Sequence, residues 1–290
     1  MKKITLILFA FLGLLVSCEE DLNVKLPGAT EKVVIEGSIE NGKVAEVLLT
    51  KNVPLFSTVT GSNLSDYFIL DAQVYVSDGA STDTLTLAID SSSSLGVVYK
   101  GHTVFGVPGH AYYLTVVANG GTYSAVTSIP APIALDSVWW KADPPNDTLG
   151  YAWAHLSEPA GLGNNYRWLA KLPGDRRFIA PYGATSEDKF IDGKSFDFAY
   201  NKGYDATNPD NTSEAESGVL GYYLPTDTIC IKFCTLDRAS KDFYITYESS
   251  VANNGNPFAS PVTILTNISG GALGVWAGFG VTYDTIYPQH

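Results

Sequence analysis

The residue best placed for chemistry is Cys18. It follows Leu15-Val16-Ser17, and the stretch Ile4 to Val16 that precedes it is apolar or small and starts after Lys2 and Lys3. A basic start, a short apolar segment and small residues before a cysteine form a bacterial secretory signal of the lipoprotein type. In such a signal the Cys18 thiol takes a diacylglyceryl group and becomes the new N-terminus. A spanning helix needs about 20 apolar residues, and Ile4 to Val16 is shorter than that before Glu19, Glu20 and Asp21 end it. Residues 1–17 are thus read as signal peptide. Residues 18–30, polar and broken by Pro27-Gly28, are read as a tether from the acylated cysteine to the folded part.

Other reactive side chains are scattered. Cys230 and Cys234 lie four residues apart in an apparent strand, about 13 Å at the usual rise, too far for an unstrained disulfide, and read as small buried hydrophobes. His102, His110, His155 and His290 form no pair at the spacing of a helical metal site. No GxSxG, HExxH or Walker loop occurs, so neither a cofactor nor a metal is expected, and no enzymatic activity. Asn208, Asp210, Glu214 and Glu216 offer hard oxygens but lack the loop-turning glycine of an EF-hand, so they read as a solvated acidic loop. Gly270, Gly271, Gly274, Gly278 and Gly280 precede a strand pattern and not a helix, which speaks for turns and close strand packing over a dinucleotide loop. Trp139 and Trp140 are neighbours in a strand and point to opposite faces, so both are buried only if both faces are covered. One of them is the candidate binding residue for a small ligand or glycan. Thirty acidic against 18 basic residues give a net charge of -12, which repels phosphate backbones and excludes nucleic acid as a partner.

The elements that must position these residues are strands. Tyr, Val, Thr and Gly are abundant and charge is scarce, an all-β composition. Residues 31–132 read as an immunoglobulin-like β-sandwich of short strands between turn signals such as Asp78-Gly79 and Asn119-Gly120-Gly121. The prolines of Ile129-Pro130-Ala131-Pro132 mark a boundary. Residues 133–290 read as a C-terminal β-sandwich or barrel-like domain whose strands include RRFIAPY (176–182) and VTILTNI (262–268), with a long loop from Tyr200 to Gly218. One amphipathic helix is expected near 238–252, capped by Asp237, stopped at Asn253-Asn254-Gly255, and covering the sheet with Phe243, Tyr247 and Val251.

Several motifs resemble those of the Bacteroidota outer-membrane lipoproteins of the domain-of-unknown-function 4249 family, over nearly the whole mature chain. They are the signal ending in Cys18, the AxVxVxDG strand at Ala72 to Gly79, Gly109-x-x-Tyr112-x-Leu114-x-Val116, and Ile129-Pro130 leading to Asp136-Ser137-Val138. The last is Asn256-Pro257-Phe258 through Asn267-Ile268-x-Gly270-Gly271-x-x-Gly274, which carries one residue more than the tighter GGxG spacing of the family. The resemblance implies an immunoglobulin-like or carboxypeptidase-regulatory-like N-terminal module, a C-terminal β domain, a TonB-dependent receptor as partner and no catalysis. Cys18 followed by Glu19, Glu20 and Asp21 also resembles the acidic export signal of that phylum. It implies an outer-membrane lipoprotein displayed at the cell surface, with a periplasm-facing orientation as the alternative. The expected function is thus a non-enzymatic accessory to a TonB-dependent receptor in ligand capture or uptake; the alternative is a surface adhesin or a glycan- or protein-binding structural module.

Overall fold

A computed structural model describes residues 30–53, 59–60, 63–91, 93, 95–205, 211–253, 256 and 258–288. Cys18, the signal peptide, the tether up to residue 29, Asn208 and Asp210 lie outside the described residues.

The chain is all-β. Its first half alternates as a half-buried sheet must: β3 (Gln73–Ser77) buries Val74 and Val76, and β6 (Ala111–Ala118) buries Tyr112, Leu114 and Val116. Asn119 and Gly120, both at positive φ, turn the chain from β6 into β7 (Gly121–Ser128). β4 (Thr82–Ile89) passes between two layers, its start pairing with β3 and its end with β5 (Val97–Phe105). On the β5 side lie β1 (Val33–Glu40) and β2 (Val44–Lys51); on the β3 side lie β6, β7 and the short β14 (Ile268–Ser269). One hydrophobic core fills the space between them.

A second core lies between β10 (Asn165–Lys171), β11 (Thr185–Glu187) and β13 (Ile229–Leu236) on one side and a three-stranded sheet on the other. That sheet has the order β12 (Ser195–Tyr200), β9 (Gly150–Ser157), β8 (Ser137–Ala142). Large rings from β10 and β13, Tyr166, Trp168 and Phe233, fill the room that the small Ala152 and Ala154 of β9 leave.

The first core draws Ile268, Ala272 and Trp276 from beyond residue 133, and the main sheet continues across that point. β15 (Leu273–Ile286) runs parallel to β1 from Leu273 to Phe279 and antiparallel to β13 from Phe279 to Ile286. It places Trp276 in the first core and Ile286 in the second. The proline-rich connector crosses closely over it. A Cβ on Gly278 would stand 2.3 Å from the Ser128 carbonyl oxygen, and one on Gly280 2.3 Å from that of Pro130, so both sites require glycine.

Three expectations need correction. Segment 176–182 is not a strand: Ile179 alone exchanges backbone bonds with Ala170, at 2.9 and 3.0 Å, and the rest turns over the sheet. Segment 262–268 contributes to the ladder only through β14. The stretch from Tyr200 to Gly218 holds a short helix, α1 (Asn211–Glu216). The long helix α2 (Arg238–Ala252) is where the sequence puts it, and the Asp237 side chain accepts from the Ser240 N–H. Its buried face agrees in part: Phe243 and Tyr244 pack on the apolar cluster of Cys234, Leu236, Val275, Ala277, Phe279 and Val281, and Ser240 and Lys241 are buried, while Tyr247 and Val251 are exposed. Charge borders this apolar patch, where Lys241 pairs with Glu187 at 3.0 Å.

Candidate functional site

Trp140 is a core residue. It is 8% exposed and its Nε1 donates to the Tyr223 carbonyl at 3.0 Å, which commits it to packing. Trp139 lies half-buried on the outer face of the three-stranded sheet and stacks on its cross-strand partner Trp153, with ring centroids 6.2 Å apart. The Lys141 ammonium stands over the Trp153 ring, and His155 Nδ1 lies 2.6 Å from Asp197 on the same face. Among the candidate tryptophans only Trp139 is thus available to a partner.

The larger concavity is on the opposite side of the molecule's second core. Strand alternation sends Tyr166, Trp168 and Ala170 of β10 inward, leaving Arg167, Leu169 and Lys171 on the outer face. Lys232 of β13 and Glu36, Ser38 and Glu40 of β1 share that face. Glu46 of β2 and Lys100 of β5 extend it. Two walls rise from this floor. Asp175 closes the turn after β10 by accepting from the Leu172 N–H at 2.7 Å, which brings Arg176, Arg177 and Phe178 over the sheet. On the other side α2 presents Tyr244 and Tyr247. The result is a cavity of about 700 Å³.

Seven of its lining residues are basic and three acidic, in a chain with 30 acidic and 18 basic residues. Most of the cations are held. Lys43 reaches Glu40 at 2.8 Å and the Tyr283 hydroxyl at 2.7 Å, and Lys232 pairs with the same Glu40 carboxylate. Burial alone would raise Glu40, but the ammonium groups of Lys232 and Lys43 outweigh it and keep the carboxyl below its usual range. Lys100 bridges Glu46 and Asp90 at 2.7 and 3.0 Å. Arg177 grips Asp205 through two bonds of 2.8 and 3.1 Å. Arg167 is the best enclosed: it pairs with Glu248 of α2, donates to Thr185, and lies 3.9 Å from the centre of the Tyr244 ring.

Three charges stand apart. Lys171 lies over the Phe178 ring at 5.1 Å and Arg176 is exposed, and neither makes an ion pair among the described residues. Glu36 touches water at the floor, yet loss of hydration there raises its carboxyl above the ordinary range, opposed by the more distant Arg177 and Arg167. Beneath α2, burial pushes the Cys234 thiol up to about 12, so it serves as an inert apolar side chain, and both Cys230 and Cys234 are free thiols. No group of three or more metal-ligating side chains occurs among the described residues.

Sequence reasoning missed this cavity. The available signal was a charge in the middle of each of several apolar strands, Glu36 in VVIEGSIE and Lys232 in ICIKFCTL, at the parity that faces away from the core. No protein-family model matches the chain and no curated protein is significantly similar to it, so the functional reading rests on the cavity and the sequence motifs.

Proposed function

We propose that this protein is an outer-membrane lipoprotein, anchored through acylated Cys18 and displayed at the cell surface, that captures a small ligand as a non-enzymatic accessory to a TonB-dependent receptor. The observation that carries the capture reading is the cavity of about 700 Å³ on the outer face of the main sheet, a volume suited to a small molecule. Its walls stand on paired strands and on a helix tied down by Arg167 and Lys241, so the cavity keeps its shape without a ligand. The motifs shared with the lipoprotein family support the address and the receptor. Anchoring restricts the protein to the plane of the membrane, which raises its effective concentration at a receptor without a large interface.

The test is crosslinking in intact cells followed by purification of the acylated protein, alongside uptake in a strain lacking it. The receptor should be recovered with the wild type, and Cys18→Ser should release the protein from the membrane and abolish recovery. Normal uptake without the protein, with no receptor crosslinked, would overturn this reading. The second reading, a surface module that binds glycan or protein, is favoured by one observation, the outward Trp139–Trp153 pair beside His155 and Asp197.

A further inference from the structure

We infer that the cavity takes an organic anion, a carboxylate or phosphate on an aromatic or apolar body, with the charged group seated at Lys171 and Arg176 and the body against Phe178 and the tyrosines of the wall. The inference rests on the cavity being the capture site and names the class of ligand.

The charge inventory comes first. Seven cations line the cavity. Five carboxylates pair with them at ion-pair distance: Glu40, Glu46, Asp90, Asp205 and Glu248. Glu36 is the remaining acid of the lining and makes no ion pair among the described residues. Even with Glu36 ionised, the lining and its partners keep a positive surplus, inside a chain whose net charge is -12. A concave low-dielectric wall concentrates that surplus, which draws an anion to the cavity although the chain as a whole is acidic.

Glu40 already neutralises Lys232 and is shared with Lys43, Asp205 neutralises Arg177, and Glu248 neutralises Arg167. Lys171 and Arg176 are the lining cations with no carboxylate partner among the described residues; Lys171 ends β10 and Arg176 stands on the turn that carries Phe178. An arginine offers a planar fork that matches carboxylate or phosphate oxygens, and a lysine adds a point charge.

The wall also has an apolar part. Phe178, Tyr204 and Tyr247 bring ring surface to the cavity, and Tyr204 and Tyr247 are exposed at 61% and 45%. Bare phosphate would leave these rings unused, whereas a ring or alkyl body covers them.

The experiment is calorimetric titration of the acylated mature protein in detergent with phenyl phosphate, benzoate, inorganic phosphate and, as the neutral match, phenyl β-glucoside. Phenyl phosphate or benzoate should bind at least tenfold more tightly than phenyl glucoside, and the two separate a phosphate from a carboxylate ligand. Inorganic phosphate should bind more weakly than phenyl phosphate. Lys171→Ala with Arg176→Ala should weaken anion binding tenfold or more with an unchanged melting temperature, because neither side chain holds a carboxylate in the fold. Lys141→Ala, on the other sheet, should change nothing. Anion binding indifferent to the double substitution overturns the seat. Equal or tighter binding of the neutral glucoside overturns the anion class while leaving ligand capture standing, and binding of none of the four probes overturns the inference itself. Loss of receptor recovery in the crosslinking test, with anion binding intact, would instead overturn the receptor role.

Discussion

Asp83 is the clearest case of a single residue whose charge the fold is built to hold. It is 4% exposed, and its Oδ2 accepts from the backbone N–H groups of His102, Thr103 and Val104 at 2.6, 2.7 and 3.1 Å. The approach depends on Gly101, where a Cβ would stand 2.9 Å from that oxygen. Burial alone would raise the carboxyl, but the three donors outweigh it and hold it below its usual range. A folded pKa below the unfolded value, about 3.9, means that the stabilisation is fully present above that pH and is lost as pH falls through the folded pKa. Asp83→Asn keeps the shape and removes the charge, and is expected to cost about 2–3 kcal/mol at pH 7. In urea unfolding followed by circular dichroism, the gap between variant and wild type should narrow below about pH 4. A gap that is constant down to pH 2 would mean that the charge is not what stabilises. The parity of Asp83 with Leu85 in the β4 segment is legible in the sequence, but its three donors lie some 20 residues away on β5 and are not.

At the scale of one element, α2 is held by Phe243 and Tyr244 on the apolar cluster around Cys234 and Phe279 and by polar ties at its start and edges. Asp237 caps it through Oδ1, which accepts from the Ser240 N–H at 2.8 Å. Its Oδ2 accepts from the Thr127 hydroxyl at 2.7 Å and the Ser128 N–H at 3.0 Å, tying the helix start to the end of β7. Loss of an ordinary cap costs about 1 kcal/mol. Asp237→Ala should cost roughly 2–3 kcal/mol, since the β7 donors also lose their acceptor, and Asp237→Ser, which restores only the cap, should fall between in the same unfolding measurement. The span of the helix is legible because its signals are local, Asp237 before it and Asn253-Asn254-Gly255 after it. Its face is only partly so, because Arg167 and Glu187, the partners of Glu248 and Lys241, come from strands far off in the chain. The apolar spacing finds Phe243 on the sheet but also takes in Tyr247 and Val251, which lie on the exposed flank. Segments 176–182 and 262–268 fail for a related reason: residue types favour a strand, but a strand exists only where a neighbour offers free N–H and C=O groups. The cavity was hidden in the same way, since Glu36, Arg167, Lys171 and Lys232 meet only once the sheet order is known.

For the whole molecule the deciding element is β15, which both cores share. A chain truncated after Ala272 would leave β1 and β13 without their common neighbour and remove Trp276 and Ile286 from the two cores. It should show no cooperative unfolding transition, and the intact protein should unfold in one step by tryptophan fluorescence and circular dichroism together. Two separated transitions would mean that residues 31–132 and 133–290 are stable apart. The same pairing also sets a timetable. Asn41 accepts from the N–H of a residue 240 positions later, Val281, so β1 waits for a strand made long after it. At about 5–20 residues per second, roughly 12–50 s of synthesis separate them. Throughout that interval one side of β1 has no strand to pair with. The growing chain therefore stays open, adhesive and dependent on shielding until β15 has emerged.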